Sequence, residues 1–417
     1  MGHRIGLPSR VAIRGRSLRP AGGVAPQESE IYYIGHRGHE SQSRLRGKDR
    51  PMAFLDVAGR SYESLASDPG LIQMGHNCNH LPLEPSIVEA MMDVLRREEF
   101  RNYAPSHGLE ELRGMVVADL GVRGVKALIT HGGTEAIYTT MSALLEPGDA
   151  VIVSDPAWPH IANFARSLRC KVIALPVYED RLGYRMNPEW IALHLTPEVK
   201  LVAIVDPLNP TGGAYPASEI EALCSLASRH GFYVLHDSTY SDFSHSHVPA
   251  IRYSERAVVS VTLSKSCGFA GLRFGAAVAH PAVFERIADH QISRLGVNLV
   301  TQRGAITAYR TRSRWLPVLR QINDQHKRLL VDRLASLRGA RALVPSDGGN
   351  FVAIDVAGTG RTAEQVVASA LQDGFVVRSG AYTSPRFGDR FLRVTTTVPT
   401  AAIEKFCAAL PGILAGA

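Results

Sequence analysis

Apolar residues in this chain gather in short runs separated by stretches with helical spacing. Runs at Ala127–Thr130, Ala150–Ser154, Lys171–Val177, Leu201–Asp206, Phe232–Asp237 and Ala257–Thr262 have the character of buried strands. Between them, Thr134–Leu145, Ala217–His230 and Pro281–Ser293 carry apolar positions at the 3.6-residue period. Strand and helix alternate, so the pattern predicts an α/β fold with a mainly parallel sheet. A helix-compatible stretch then runs from Asn298 to Leu337. A smaller α+β segment follows, with strands near Phe351–Val356, Phe375–Arg378 and Phe391–Thr395. No internal repeat is evident.

A chain of 417 residues is too long for one hydrophobic core, so more than one domain is expected. The divisions expected are a basic extension over 1–51, the first part of a small domain over 52–100, a large domain over 101–297, a linking helical region over 298–337 and the rest of the small domain over 338–417. No apolar run is long enough to span a bilayer. The net charge of +7 is concentrated at one end: residues 1–50 hold nine Arg and one Lys against four acids, 10 minus 4 or +6, leaving +1 for the remainder. The basic balance therefore describes a tail and not a nucleic-acid-binding face. That tail is rich in Arg, Gly, Ser and Pro and is expected to be disordered; an early start codon with the true start near Met52, or a transit peptide, are the competing readings. Five scattered cysteines, an odd number, point to a reducing, cytoplasmic setting and not to a disulfide framework.

The densest chemistry lies in Thr262-Leu-Ser264-Lys265-Ser-Cys-Gly-Phe-Ala-Gly-Leu-Arg273-Phe-Gly275. A lysine amine forms an imine with an aldehyde, while Thr262, Ser264 and Arg273 offer hydroxyl and guanidinium donors suited to a phosphate. Gly133 and Thr134 open a predicted helix, where free N–H groups and the helix dipole favour an anion. Thr130, Asp206, Asp237 and Thr262 all stand at the carboxyl ends of predicted strands, the edge where parallel sheets bind ligands.

The lysine segment resembles the cofactor-lysine motif of the class I and II aminotransferases, fold-type I enzymes that use pyridoxal 5'-phosphate (PLP). Tyr103-Ala-Pro-Ser-His-Gly108-Leu-Glu-Glu-Leu-Arg113, Thr130-His-Gly-Gly133-Thr134-Glu-Ala136, Pro156-Ala-Trp158-Pro159, Asn209-Pro-Thr-Gly212, Asp237-Ser-Thr-Tyr240 and Phe391-Leu-Arg393-Val match other family motifs in the family's order. The resemblance covers residues 70 to 415. It implies a large domain with a mainly parallel seven-stranded sheet, a smaller α+β domain, and a homodimer with shared active sites. The implied activity is transfer of the amino group of an L-amino acid to a 2-oxo acid by a ping-pong cycle.

The resemblance also assigns roles. Lys265 carries the cofactor as a Schiff base and moves the substrate's α-proton; Asp237 pairs with the pyridine nitrogen; Tyr240 and Asn209 donate to the 3'-oxygen; Trp158 stacks on the ring. Gly133, Thr134, Thr262, Ser264 and Arg273 hold the phosphate, joined by Tyr103 from the neighbouring subunit. Arg393 clamps the substrate α-carboxylate through its planar fork. Arg294 lies where aspartate-type enzymes send an arginine into the partner's site, and a helix-end cation is its structural alternative.

Gly75-His76-Asn77-Cys78-Asn79-His80 departs from the family's usual entrance loop. Asn77 or His80 is expected to select a polar substrate side chain. The alternate His-x-Cys-x-His spacing could also present metal ligands, but one loop supplies no fourth partner, so no metal is expected; His36 and His39 carry no more weight. Lyase, cyclase or oxidase chemistry on the same cofactor is the alternative activity. A PLP-binding transcriptional regulator requires a three-helix reader that residues 1–51 are too rich in Gly, Pro and Arg to form.

Overall fold

The computed structural model describes residues 60–344 and 348–416. The basic extension over 1–51, the start at Met52 and the His36–His39 pair lie outside the described residues. Each predicted strand of the first half forms: β1 (Lys126–His131), β2 (Ala150–Asp155), β3 (Lys171–Pro176), β4 (Val199–Val205), β5 (Tyr233–Asp237) and β6 (Ala257–Thr262). A further strand, β7 (Phe274–Ala279), completes a seven-stranded sheet in the order β1-β7-β6-β5-β4-β2-β3. Every neighbouring pair is parallel except the two that involve β7. Sequence reasoning passed over β7 because Phe-Gly-Ala-Ala-Val-Ala is poor in the branched residues that favour strands. Its register explains the glycine: a Cβ on Gly275 would lie 2.3 Å from the carbonyl carbon of Gly132, so the loop before the helix Gly133–Leu144 fits only against a bare backbone.

The helix Gly133–Leu144 packs on β1, β6 and β7, and the main core gathers residues such as Leu128, Met141, Ile152, Val202, Leu235 and Val259, none with more than trace exposure. A second sheet, antiparallel, is built from β8 (Arg341–Ala342), β9 (Phe351–Asp355), β10 (Arg378–Ser379) and β11 (Phe391–Thr395) in the order β10-β11-β9-β8. The strand expected over Phe375–Arg378 is divided: Phe375–Val376 pairs in parallel with Ile72–Gln73, whereas Arg378 joins β11. Met74 extends this stitching, donating to Val376 O at 2.8 Å and accepting from Thr395 N at 2.8 Å. The entrance segment near residue 75 is thereby fixed to the strand that carries Arg393.

The single helical stretch expected over 298–337 is two helices, Leu299–Arg310 and Arg312–Ala335. Thr311 separates them; its Oγ1 donates to Thr307 O at 2.8 Å, a back-bond that competes with the helical ladder. Arg312 then turns its guanidinium to Asp242 and, at 2.8 Å, to Asp119. The second helix is about 36 Å long at 1.5 Å per residue. It packs Leu319 in the core of the large sheet and Leu330 and Leu334 in the separate core of the second sheet.

Candidate active site

The carboxyl ends of β1, β5 and β6, together with the turn after β4, converge on a cavity of about 220 Å³. Its lining contains Gly133, Thr134, Trp158, Asn209, Asp237, Tyr240, Thr262, Ser264, Lys265, Arg273 and Arg393. Gly133, Asp237 and Lys265 meet here because parallel strands bring their ends to one edge, and the second sheet adds Arg378 and Arg393 from the other side of the cavity.

Lys265 leaves the end of β6 and donates from Nζ to His76 O at 3.0 Å. Burial, with Arg393 and Arg273 nearby, lowers its pKa to about 8, so its neutral amine is populated near physiological pH. Asp237 ends β5 and is buried; burial raises its pKa to about 6, against the hydrogen bonds it accepts on Oδ1 from Thr239 N (3.2 Å) and Thr239 Oγ1 (2.6 Å). A buried carboxylate beside a lysine needs a cationic or N–H partner.

At one end of the cavity the donors suit a phosphate. Gly132 caps the helix with φ +86°, and Gly133 and Thr134 supply its first N–H groups. A Cβ on Gly132 would lie 2.5 Å from Arg273 Nη2, so the guanidinium packs directly on this loop. Arg273 is itself in the left-handed region, φ +58°, braced by Nη1 donating to Ala270 O at 2.8 Å. Thr262 lines the cavity; its Oγ1 lies 2.6 Å from Phe274 O and 2.8 Å from Ser264 Oγ and accepts from Ser264 N (3.1 Å), which ties it to both the sheet and Ser264. The donor cradle, the amine, the carboxylate and the Trp158 ring together fit PLP.

At the other end, Arg393 of β11 is 5% exposed. Nη1 donates to Asn209 Oδ1, Nη2 to Gly75 O, and Nε has no partner. Asn209 is thus anchored by an arginine, which the sequence did not indicate. Asn77 is not at the cavity mouth: it is fully buried, its Nδ2 donates to Tyr240 OH at 3.1 Å and its Oδ1 accepts from Thr395 Oγ1 at 3.1 Å. The reason is the stitching of residues 72–74 to Phe375–Val376 and Thr395, after which Asn77 turns inward at φ +54°. Tyr103 is 79% exposed and Arg294 points to Asp289 O at 3.5 Å; neither lines the cavity of its own chain.

Four polar lining residues were given no role from the sequence: His76, Thr239, Arg378 and Tyr382. Arg378 is the most consequential. Its guanidinium lies between the rings of Tyr62 (3.6 Å to the centroid) and Tyr382 (3.7 Å), which covers both faces and leaves the N–H edge for a ligand. Burial lowers its pKa. The signal available in the sequence was an arginine at the end of an apolar run, in Phe375-Val-Val-Arg378. His76 is held neutral, its pKa lowered to about 4 by burial and by Arg378 and Lys265. His76, Cys78 and His80 do not converge; among the described residues the one convergent His/Asp group is Asp206, His236 and His247, outside the cavity.

The family described as aminotransferase class I and II matches residues 69–410. The chain is similar to an aspartate aminotransferase of Pyrococcus horikoshii, 26% identical over 313 residues that cover 72% of this chain and 79% of the relative. It is similar to a histidinol-phosphate aminotransferase of Moorella thermoacetica, 28% identical over 349 residues, 81% of this chain and 85% of the relative. Its fold is similar to that of a double mutant of Thermus thermophilus aspartate aminotransferase, with a TM-score of 0.75 at 23% identity, covering 82% of this chain and 91% of that one.

Proposed function

Because this chain belongs to the class I and II aminotransferases and is a PLP-dependent aminotransferase, we propose that its cavity takes an amino donor carrying a second acidic group beyond the one Arg393 receives. Bound PLP supplies an aldehyde for amine attachment and a ring that accepts the electron pair of the substrate Cα–H bond. Lys265 would hold the cofactor through its amine and, once free, would move the proton at the substrate Cα. Asp237 receives the pyridine nitrogen, Asn209 and Tyr240 face the 3'-oxygen, and Trp158 covers the ring. Gly133, Thr134, Ser264 and Arg273 take the phosphate.

The observation that carries the substrate reading is the pair of buried guanidinium groups, Arg393 and Arg378, in one cavity whose other charged lining groups are Lys265, Arg273 and Asp237. Four cations against one carboxylate suit a phosphorylated cofactor plus a doubly anionic donor. Aspartate, the substrate named for the first relative above, carries a second carboxylate on its side chain, whereas histidinol phosphate, named for the other, carries a single phosphate and no carboxylate.

The protein acts as a homodimer in this reading. Val88, Met92 and Leu95 form an exposed apolar stripe on the helix Pro85–Arg96, continued by Phe100 and Tyr103. Tyr103 then reaches the partner's phosphate site and Arg294 the partner's substrate. The divisions at 101–297 and 338–417 separate cofactor and carboxylate-binding parts. No helix among the described residues is long and apolar enough to cross a membrane, and the five cysteines are free, which supports a cytoplasmic location.

The test is one half-reaction. Holoenzyme is mixed with a panel of amino donors without oxo acid, and products are identified by mass. Pyridoxamine phosphate and the matching oxo product, formed fastest from a doubly anionic donor, are expected. Regeneration of PLP with an eliminated or cyclised product would move the activity to the lyase or cyclase branch. A fastest donor with no second acid would remove the role of Arg378.

A further inference from the structure

Behind the cavity lies a second polar cluster. Asp206 follows β4 and is 1% exposed; His236 is fully buried in β5, and Ser238 stands two residues later at 2% exposure. Asp206 Oδ2 accepts from His247 Nδ1 at 3.0 Å and stands 3.4 Å from His236 Nε2. His247 Nε2 lies 3.1 Å from Ser238 Oγ. The other carboxylate oxygen, Oδ1, accepts from Tyr215 N at 3.1 Å.

Two readings compete for this cluster, a divalent metal site and a hydrogen-bonded clamp. The tautomer decides between them. His236 Nδ1 accepts the Ala250 N–H at 3.0 Å, so the ring proton of neutral His236 is on Nε2, the atom aimed at Asp206. That nitrogen is a donor, with no lone pair for a metal. His247 Nδ1 donates to the same carboxylate, which leaves its Nε2 to accept the Ser238 hydroxyl proton in the neutral ring. Burial disfavours the Asp206 carboxylate, yet the neighbouring His236 and His247 hold its pKa below the usual carboxylate range; His247 supplies a hydrogen bond, while His236 Nε2, 3.4 Å away, is close to the carboxylate without a hydrogen bond of its own.

The cluster also has a direction. Side chains alternate along a strand, so His236 and Ser238 project to the face opposite Asp237, which lines the cavity. They flank Asp237 on both sides and end on one carboxylate, His236 directly and Ser238 through His247. The Tyr215 bond closes the base of the turn that carries Asn209, in which Leu208 N donates to Gly213 O at 2.7 Å. We infer that Asp206, His236, His247 and Ser238 form a positioning clamp that fixes Asp237 and Asn209 relative to each other, and with them the two polar edges of the cofactor ring. The inference rests on the assignment of Asp237 to the cofactor nitrogen. The four residues touch no substrate and are positioning residues.

The test uses holoenzyme with Ser238→Ala, which deletes one hydroxyl, and His247→Asn, which removes the relay between Ser238 and Asp206. Three quantities are read besides melting temperature: the PLP dissociation constant, the pH midpoint of the bound cofactor's absorption change, and kcat against KM in the half-reaction. A displaced Asp237 shifts the midpoint and lowers kcat about tenfold in both variants, with KM for the donor within twofold of wild type. Variants that melt earlier but keep the wild-type midpoint and kcat would reduce the cluster to fold stability and overturn the clamp. One equivalent of zinc, retained through gel filtration and lost in His236→Gln, would overturn the tautomer and restore the metal reading. Asp237→Asn separates the two levels: if that variant keeps full activity the assignment of Asp237 fails, whereas if it is inactive while Ser238→Ala and His247→Asn are unaltered, only the clamp fails.

Discussion

Removing the cofactor and varying pH isolates the reactivity of Lys265. In the folded chain burial, assisted by Arg393 and Arg273, lowers its pKa from 10.5 to about 8. At pH 7 an ordinary lysine is about 0.03% neutral and one with a pKa of 8 about 10%, so the folded chain holds roughly 300-fold more reactive amine, about 3 kcal/mol of differential interaction. Apoenzyme is mixed with PLP in a stopped-flow spectrometer at pH values between about 6 and 10, and the capture rate is followed by absorbance, with Lys265→Ala as the background. The rate is expected to rise with pH, bend near 8 and flatten. A rate that climbs in proportion to hydroxide beyond pH 10 would refute the reasoning, because it would return Lys265 to the value of a solvated lysine. The linkage has a definite sign: the folded state disfavours the ammonium, so the contribution of Lys265 to stability is unfavourable below pH 8 and is relieved as pH rises from about 8 toward 10.5.

Arg393→Ala removes the fork that meets the substrate carboxylate and also frees Asn209 and the Gly75 carbonyl. The donor KM should rise about 100-fold or more, matching the 3 kcal/mol scale of a truncated buried charge pair, while PLP remains bound by absorbance; unchanged donor saturation would place the carboxylate elsewhere. Arg378→Ala should cost a doubly anionic donor about tenfold or more in kcat/KM and leave a monocarboxylic donor within about twofold, a comparison made within one preparation; equal losses for both donors would contradict a side-chain role. Gly275→Ala forces a Cβ to within 2.4 Å of Gly133 N, so calorimetry should record a stability loss of about 3 kcal/mol with weaker PLP binding, the scale of an overpacked site that only backbone movement can relieve. A melting curve identical to wild type would show that the loop yields freely. Met92→Asp, in the exposed stripe of the helix Pro85–Arg96, should shift sedimentation toward the monomer and lower activity with it, since the site then lacks the partner's Tyr103; an active monomer would end the shared-site proposal.

Much of this protein was determined by its sequence alone. Val- and Ile-rich runs form strands wherever they are long enough to bury, so β1 to β6 and β11 lie where the pattern puts them. Parallel strands bring their ends together, so Lys265, Asp237 and Thr134 meet at one edge, and the family motif around Arg393 assigned it to the same site. Only tertiary contact could decide the rest. β7 carries glycine at position 275 because the Gly132 loop lies against it and leaves no room for a Cβ there. Asn77 turns inward because the segment before it pairs with Phe375–Val376. Arg378 becomes a ligand-facing cation through rings at positions 62 and 382, and the Asp206 cluster through histidines at 236 and 247. Local pattern records which residues are buried and in what period; it does not record which distant groups will face them, and that pairing fixes tautomers, lowers or raises pKa values, and turns a buried arginine into a binding group.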